Sequence, residues 1–328
     1  MMAREIRESR ENGSLLLRLL ATFAYFAGLL SAVADEPFFK KGDVIALVGG
    51  EDLVAMSEYG YLELLLTRAL PDHRLKFRNL AWEGDTVFEQ RRDLNFPPLE
   101  AQLDQVGATV VLCQFGQMES LAGKEKLPEF VAAYEKLIAR MSGGRKRRIV
   151  LLHPTLSPDR AKEIQQYAWA IADMRAVLDV RWVNQYELSG IFTRDGVHMT
   201  EKLHLELASV IWDNLKAGNE ETDEIKRELA WYILPSFSED YHEAPRPSTE
   251  GSPQLRRLVV VKNRLWFDYW RVQNWAFLAG DRTEQPSSRD HVDRTKRWFP
   301  AEREQFLPLI DAKEQEIWTL AAKLSEQK

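Results

Sequence analysis

Val44-Ile45-Ala46-Leu47-Val48-Gly49-Gly50-Glu51 decides the fold. Five apolar residues in a row, three of them β-branched, fit a strand covered on both faces. Two glycines then let the backbone turn sharply and approach another segment closely. A helical pattern follows over 58–70. A strand, a glycine turn and a helix open a parallel α/β sheet, in which ligands lie just beyond the carboxyl ends of the strands. Gly49, Gly50 and Glu51 are therefore expected on the floor of any site.

Outward from that stretch the pattern repeats. Strands are predicted at 75–80, 109–113, 149–154 and 180–184, and amphipathic helices at 128–141, 159–178 and 200–215. Strands alternating with helices of this length argue for right-handed βαβ units and a five-stranded parallel sheet with helices on both faces. Each strand ends in a polar or glycine-containing loop. Trp82-Glu83-Gly84-Asp85, Gly116-Gln117-Met118-Glu119, His153-Pro154 and Asp195-Gly196-Val197-His198 join Gly50-Glu51 on one rim.

The bulk composition is ordinary for a globular chain: 328 residues, 45% hydrophobic and 29% charged. A net charge of -6 gives no reason to expect a nucleic-acid partner. The one cysteine, Cys113, excludes an internal disulfide and reads as a small buried hydrophobe. Residues 1–34 have the layout of a secretory signal: Arg4, Arg7 and Arg10 in a polar start, an apolar run over 19–30, then Ser31-Ala32-Val33-Ala34. The run is short for a membrane span. The expectation is export to a periplasm or cell surface, with no integral span once the signal is removed. An uncleaved N-terminal anchor is the alternative.

From 42 to 215 the chain resembles the SGNH (GDSL-type) hydrolases, flavodoxin-like three-layer α/β/α esterases and acylhydrolases. The resemblance rests on Gly49-Gly50-Glu51, on Asn79-Leu80-Ala81-Trp82-Glu83-Gly84-Asp85-Thr86, on Gly116 to Glu119, and on Asp195 to His198. It implies that the first block supplies a serine nucleophile and that Gly84 and a third-block asparagine complete an oxyanion hole. It also implies that His198 is the base, oriented by Asp195. Aligned on Gly49, however, the nucleophile position holds Glu51 and the asparagine position holds Met118, whose side chain has no N–H. An activated hydroxyl and aimed donors are what that chemistry requires. Ser57 is expected at the cap of the following helix, and Ser120 lacks the strained turn that projects a nucleophile.

Three readings of the rim stay open. His198, with Asp195 and Glu51, activates a water directly. Alternatively, Glu51, His198 and the rim residues Gly50, Gly84, Gln117, Met118 and Glu119 hold a small molecule or carbohydrate without cleaving it. In the third, the loop only braces the last helix, as it would in a non-catalytic envelope interaction module. His153, His198, Glu51 and Glu119 have no ligand spacing, so no metal and no other cofactor is expected.

After 217 a helical, Trp-rich extension is expected over 218–328. An irregular connection at 236–253 leads to a helix at 254–269, a polar and mobile stretch follows at 281–296, and a last helix runs over 306–323. Lys262, Asn263, Arg271 and Asn274 resemble a pattern on the C-terminal extension of some exported bacterial SGNH-like proteins. Leu258, Val261, Leu265 and Trp266 are expected to pack the first of these helices onto the sheet domain. The last is expected to pack through Leu309, Ile310, Ile317, Leu320 and Leu324. Trp82, Trp270, Arg271 and Asn274, with Trp275, are candidates to line a carbohydrate cleft.

Overall fold

A computed structural model describes residues 37–184, 198–215 and 251–326 of the chain. The expected signal, Asp195 and the connection at 236–250 lie outside the described residues. Five parallel strands form one sheet: β1 (Val44–Gly49), β2 (Lys76–Asn79), β3 (Val110–Gln114), β4 (Arg148–Leu152) and β5 (Arg181–Val183). Their order is β2-β1-β3-β4-β5. This is the doubly wound, flavodoxin-like order, with its switch point between β1 and β3. Ile45, Ala46, Leu47 and Val48 are all buried, as a strand covered on both faces requires.

The first helix departs from expectation. α1 (Glu51–Tyr59) starts directly after Gly50, and α2 (Tyr61–Ala69) follows from Gly60. The apolar set Leu53, Val54 and Met56 is buried, and Glu51 and Asp52 sit in the first turn, where carboxylates suit the helix dipole. Ser57 therefore lies inside a helix, where its hydroxyl accepts Asn79 Nδ2 at 2.6 Å. Gly60 is left-handed at φ 71°, and a Cβ there would lie 2.9 Å from Val259. One helix expected over 58–70 is thus two, hinged where a third helix presses on the joint. α3 (Leu99–Gln105), α4 (Leu127–Ser142) and α5 (Ala161–Met174) follow, then α6 (Glu201–Leu215). α3 was not expected, because seven residues are too few to show a period.

The C-terminal segment contributes α7 (Gly251–Trp270), α8 (Trp298–Glu304) and α9 (Phe306–Glu326). α7 and α9 lie against each other, and α7 also packs on α1 and α2. The buried stripe of α7 is Leu255, Val259, Lys262 and Trp266 rather than one through Leu258 and Val261; Val261 is exposed. The true stripe runs through a lysine, which an apolar pattern excludes. Likewise Glu314 is buried on α9 and Leu309 is exposed. The stretch at 281–296 holds a short 3-10 turn at Pro286–Ser288 and a bridge from Arg289 to Arg297.

These helices cover β2, an edge strand. Trp266 Nε1 donates to the Asn79 carbonyl at 2.9 Å, and Trp318 Nε1 to the Leu75 carbonyl at 3.2 Å. Arg78 of β2 donates to Glu314 at 2.6 Å. Behind them, fully buried Lys262 donates to Glu63 of α2 at 2.7 Å and to Asn263 Oδ1 at 2.7 Å. Burial pushes the Glu63 carboxyl up and the Lys262 ammonium down, and each is opposed by the other's charge. Glu63→Ala should cost about 3–5 kcal/mol in urea unfolding, because it strands the buried ammonium. Lys262→Met combined with Glu63→Leu should recover most of that loss. A double variant as unstable as Glu63→Ala would show that the charges themselves do not set the cost.

Candidate functional site

The strand-end loops meet through short contacts. Gly49 lacks a Cβ for a reason: one built there would lie 2.5 Å from the Gln114 carbonyl, so only glycine lets β1 and β3 end so close together. The Gly49 carbonyl accepts Trp82 N–H at 3.0 Å, which draws in the loop after β2. Gly84 takes a left-handed conformation in that loop, at φ 80°. From the end of β3, Gln114 Nε2 donates to the His153 carbonyl at 3.0 Å and to Thr155 Oγ1 at 3.3 Å.

On this floor Glu51 Oε1 lies 3.5 Å from His198 Nε2, and both side chains are about half exposed. The two ends of the chain's signature therefore meet, although they are far apart in sequence. Behind Glu51 lies Asp52, buried and hydrogen-bonded to the Thr155 side chain. Burial raises its carboxyl to about 6, the Thr155 bond pulls it down, and Glu51 and His198 act in opposite directions. Asp52 and Thr155 escaped the sequence reading. The one available signal was that two acidic residues open α1 and only one of them can face solvent.

The third block is built differently from an oxyanion hole. Glu119 is buried, and its carboxylate accepts Val87 N–H at 2.7 Å and Gly116 N–H at 2.7 Å. Burial raises its pKa, while those two amides draw it down. It clasps two loops together and presents no carboxylate on the rim, which corrects its expected place there. Gln117 is half-buried and Met118 exposed. Ser120 Oγ donates to the Gln117 carbonyl at 2.6 Å and accepts Arg160 at 2.6 Å, so it is engaged away from any nucleophilic role. Cys113 is buried, and burial pushes its thiol up to about 12. His153 donates from Nδ1 to the Pro154 carbonyl at 2.6 Å. Among the described residues no group of three His, Cys, Asp or Glu could hold a metal ion.

The aromatic candidates are placed otherwise than expected. The guanidinium of Arg271 lies 4.1 Å from the centre of the Trp82 ring and that of Arg92 4.4 Å from it. Arg271 also pairs with Glu83, at 2.5 Å. Trp82 therefore carries two cations instead of a ligand. Trp270 is buried, stacked on Trp266 at 5.2 Å, and does not reach over the rim. Asn274 is exposed, at the start of a single helical turn. Trp270 and Trp275 line a separate hollow with Phe96 and Arg303.

No family model and no curated protein matches the sequence. Among solved structures, a gut microbial diltiazem-metabolizing enzyme matches with a TM-score of 0.54 at 12% identity, covering 88% of this chain and 95% of that one. The likeness is one of fold. Esterase EstA from Pseudoalteromonas sp. matches 52% of this chain and 96% of its own, with a TM-score of 0.40 and 18% identity. A family 3 carbohydrate esterase from Clostridium thermocellum matches 57% of this chain and 98% of its own, with a TM-score of 0.39 and 18% identity. What the comparison supports is the α/β architecture.

Buried histidines give the chain a pH signature. His153 and His204 are both held neutral by burial, their pKa lowered from 6.5 to about 4. The unfolded chain then binds more protons, so the stability they contribute is complete above pH 6.5 and is lost as pH falls through 4. Each is worth about 3 kcal/mol at most. Asp52, raised to about 6, works the other way, and its penalty on folding is relieved as pH falls from 6. His204→Phe, which keeps a ring against Tyr59, should flatten the fall in unfolding free energy between pH 6.5 and 4. Denaturant titrations at several pH values read this directly. A variant with the wild-type slope would remove His204 from the account.

Proposed function

We propose that this chain keeps the architecture of an SGNH-type esterase and has exchanged hydrolysis for binding at the rim. One observation carries the reading: a carboxylate, Glu51, faces His198 Nε2 at 3.5 Å, where a nucleophile's hydroxyl would stand. An ionised carboxylate only accepts hydrogen bonds, so His198 has no hydroxyl proton to remove. The exposed thioether of Met118 cannot replace a donor, and the Gly116 amide is held by Glu119. Without the nucleophile at most a residual ~10³–10⁴-fold acceleration over water would remain, and the missing donor removes about 10²–10³ of that, which leaves turnover close to background.

Glu51 and His198 together offer a carboxylate and an imidazole to solvent, which suits a small molecule bearing hydroxyl groups, a saccharide being the simplest class. It would be held by Glu51 and His198 directly, since Trp82 and Trp270 offer no open face. A second reading has one specific support: Glu51 and His198 are both reachable by water, so the pair could activate one. Export belongs to the same proposal, supported by the signal-like layout of residues 1–34. No helix among the described residues is long and apolar enough to cross a membrane.

Hydrolysis of p-nitrophenyl acetate and acetylated xylan decides between the two readings. Wild type and His198→Ala should match each other within the background rate. Glu51→Ser, alone or with Met118→Asn, should gain turnover that is lost again when His198→Ala is added. If the wild type turns over and His198→Ala lowers the rate tenfold or more, binding without chemistry is wrong and the pair activates water.

A further inference from the structure

Apart from the rim, α1 and α7 enclose a groove of about 290 Å³. That is near the lower end of the range for small-molecule sites. Its walls are Val54, Ala81, Val260, Trp266 and Phe267. The groove exists only because the C-terminal segment folds back onto α1.

The bonding of its polar lining restricts what can enter. Asn79 donates to the Leu53 carbonyl at 2.6 Å and accepts Ala81 N–H at 2.9 Å. Asn263 donates to the Ser57 carbonyl at 3.0 Å and accepts Lys262 at 2.7 Å. Arg271 is paired with Glu83, and Arg264 with Asp268 at 3.0 Å. A polar ligand would have to break these bonds and replace them, whereas an apolar one leaves them intact. The aromatic walls are also in use. Trp266 has Trp270 stacked at 5.2 Å and the Arg78 guanidinium 4.9 Å from its ring centre. Phe267 has Arg264 at 5.2 Å and Arg271 at 4.9 Å. Both rings are thus already engaged by a second ring or by guanidinium groups. Arg264 and Arg271 are neutralised by their own carboxylate partners, and Glu58, the remaining charge of the lining, is exposed to solvent.

We infer that the groove between α1 and α7 is a second binding site, built by the C-terminal segment, for an uncharged and mainly aliphatic small molecule. This is independent of whether the rim binds or cleaves its own ligand.

The full chain should be titrated with N-phenyl-1-naphthylamine, an uncharged fluorophore, and the complex challenged with 1-octanol and with N-acetylglucosamine. The expected result is a saturable fluorescence rise at one probe per chain, reversed by 1-octanol and unaffected by the sugar. Val260→Trp and Val54→Phe, which fill the groove from opposite walls, should each weaken binding about tenfold or more, a loss of at least 1.4 kcal/mol. Glu51→Gln should leave it unchanged. Thermal melts identify a filled variant that has failed to fold, in which case the other wall decides. The inference is overturned if wild type gives no saturable signal, if folded filled variants bind like wild type, or if the sugar displaces the probe. It is equally overturned if sedimentation shows a dimer that Val260→Trp dissociates, since a second copy would then cover the groove.

Discussion

An edge strand with a bonding row still open is the constraint around which this molecule is arranged. β2 pairs with β1 on one side only, and an uncovered strand edge is a template for unwanted pairing. The C-terminal segment meets that need with side chains. Two indole N–H groups take carbonyls at either end of the strand, Asn79 and Leu75. Arg78, from the middle of β2, is neutralised by a buried glutamate of α9. An exposed ion pair at such a place is worth ~0–1 kcal/mol. A buried one is costly unless every lone pair and proton finds a partner, which is why Lys262 is given both Glu63 and Asn263. Closure of the edge and burial of these charges are one event.

The rim shows a different kind of dependence. Its shape comes from backbone: the close approach of Gly49 to Gln114, the left-handed Gly84, and amides clasped by Glu119. None of these features requires a particular side chain at position 51. The scaffold therefore tolerates a change of chemistry at its floor, and a carboxylate can stand opposite His198 without disturbing the loops. Asp52 adds a second carboxyl directly behind the first, kept from water by burial and steadied by Thr155.

The sheet was legible because β1, β3 and β4 are short apolar runs bounded by glycine or polar loops, and their order follows from the handedness of βαβ units. The convergence of the strand-end loops was legible for the same reason. Two things were not. The start of α1 was hidden because Glu51 and Asp52 read as loop, although they open a helix. The buried faces of α7 and α9 were hidden because each passes through a charged residue, Lys262 or Glu314, whose burial depends on a partner elsewhere in the chain. The occupation of Trp82 by Arg92 and Arg271 was equally out of reach, since no spacing in sequence relates the three.

The partners Glu63 and Lys262 stand 199 residues apart. During synthesis at 5–20 residues per second, the glutamate leaves the ribosome roughly 10–40 s before the lysine that completes it. Through that interval β2 has no cover and α2 keeps its carboxylate turned to water. The nascent chain therefore spends a long waiting period with a sheet already able to pair and its guard not yet made, the period in which a holding chaperone would be of most use to it.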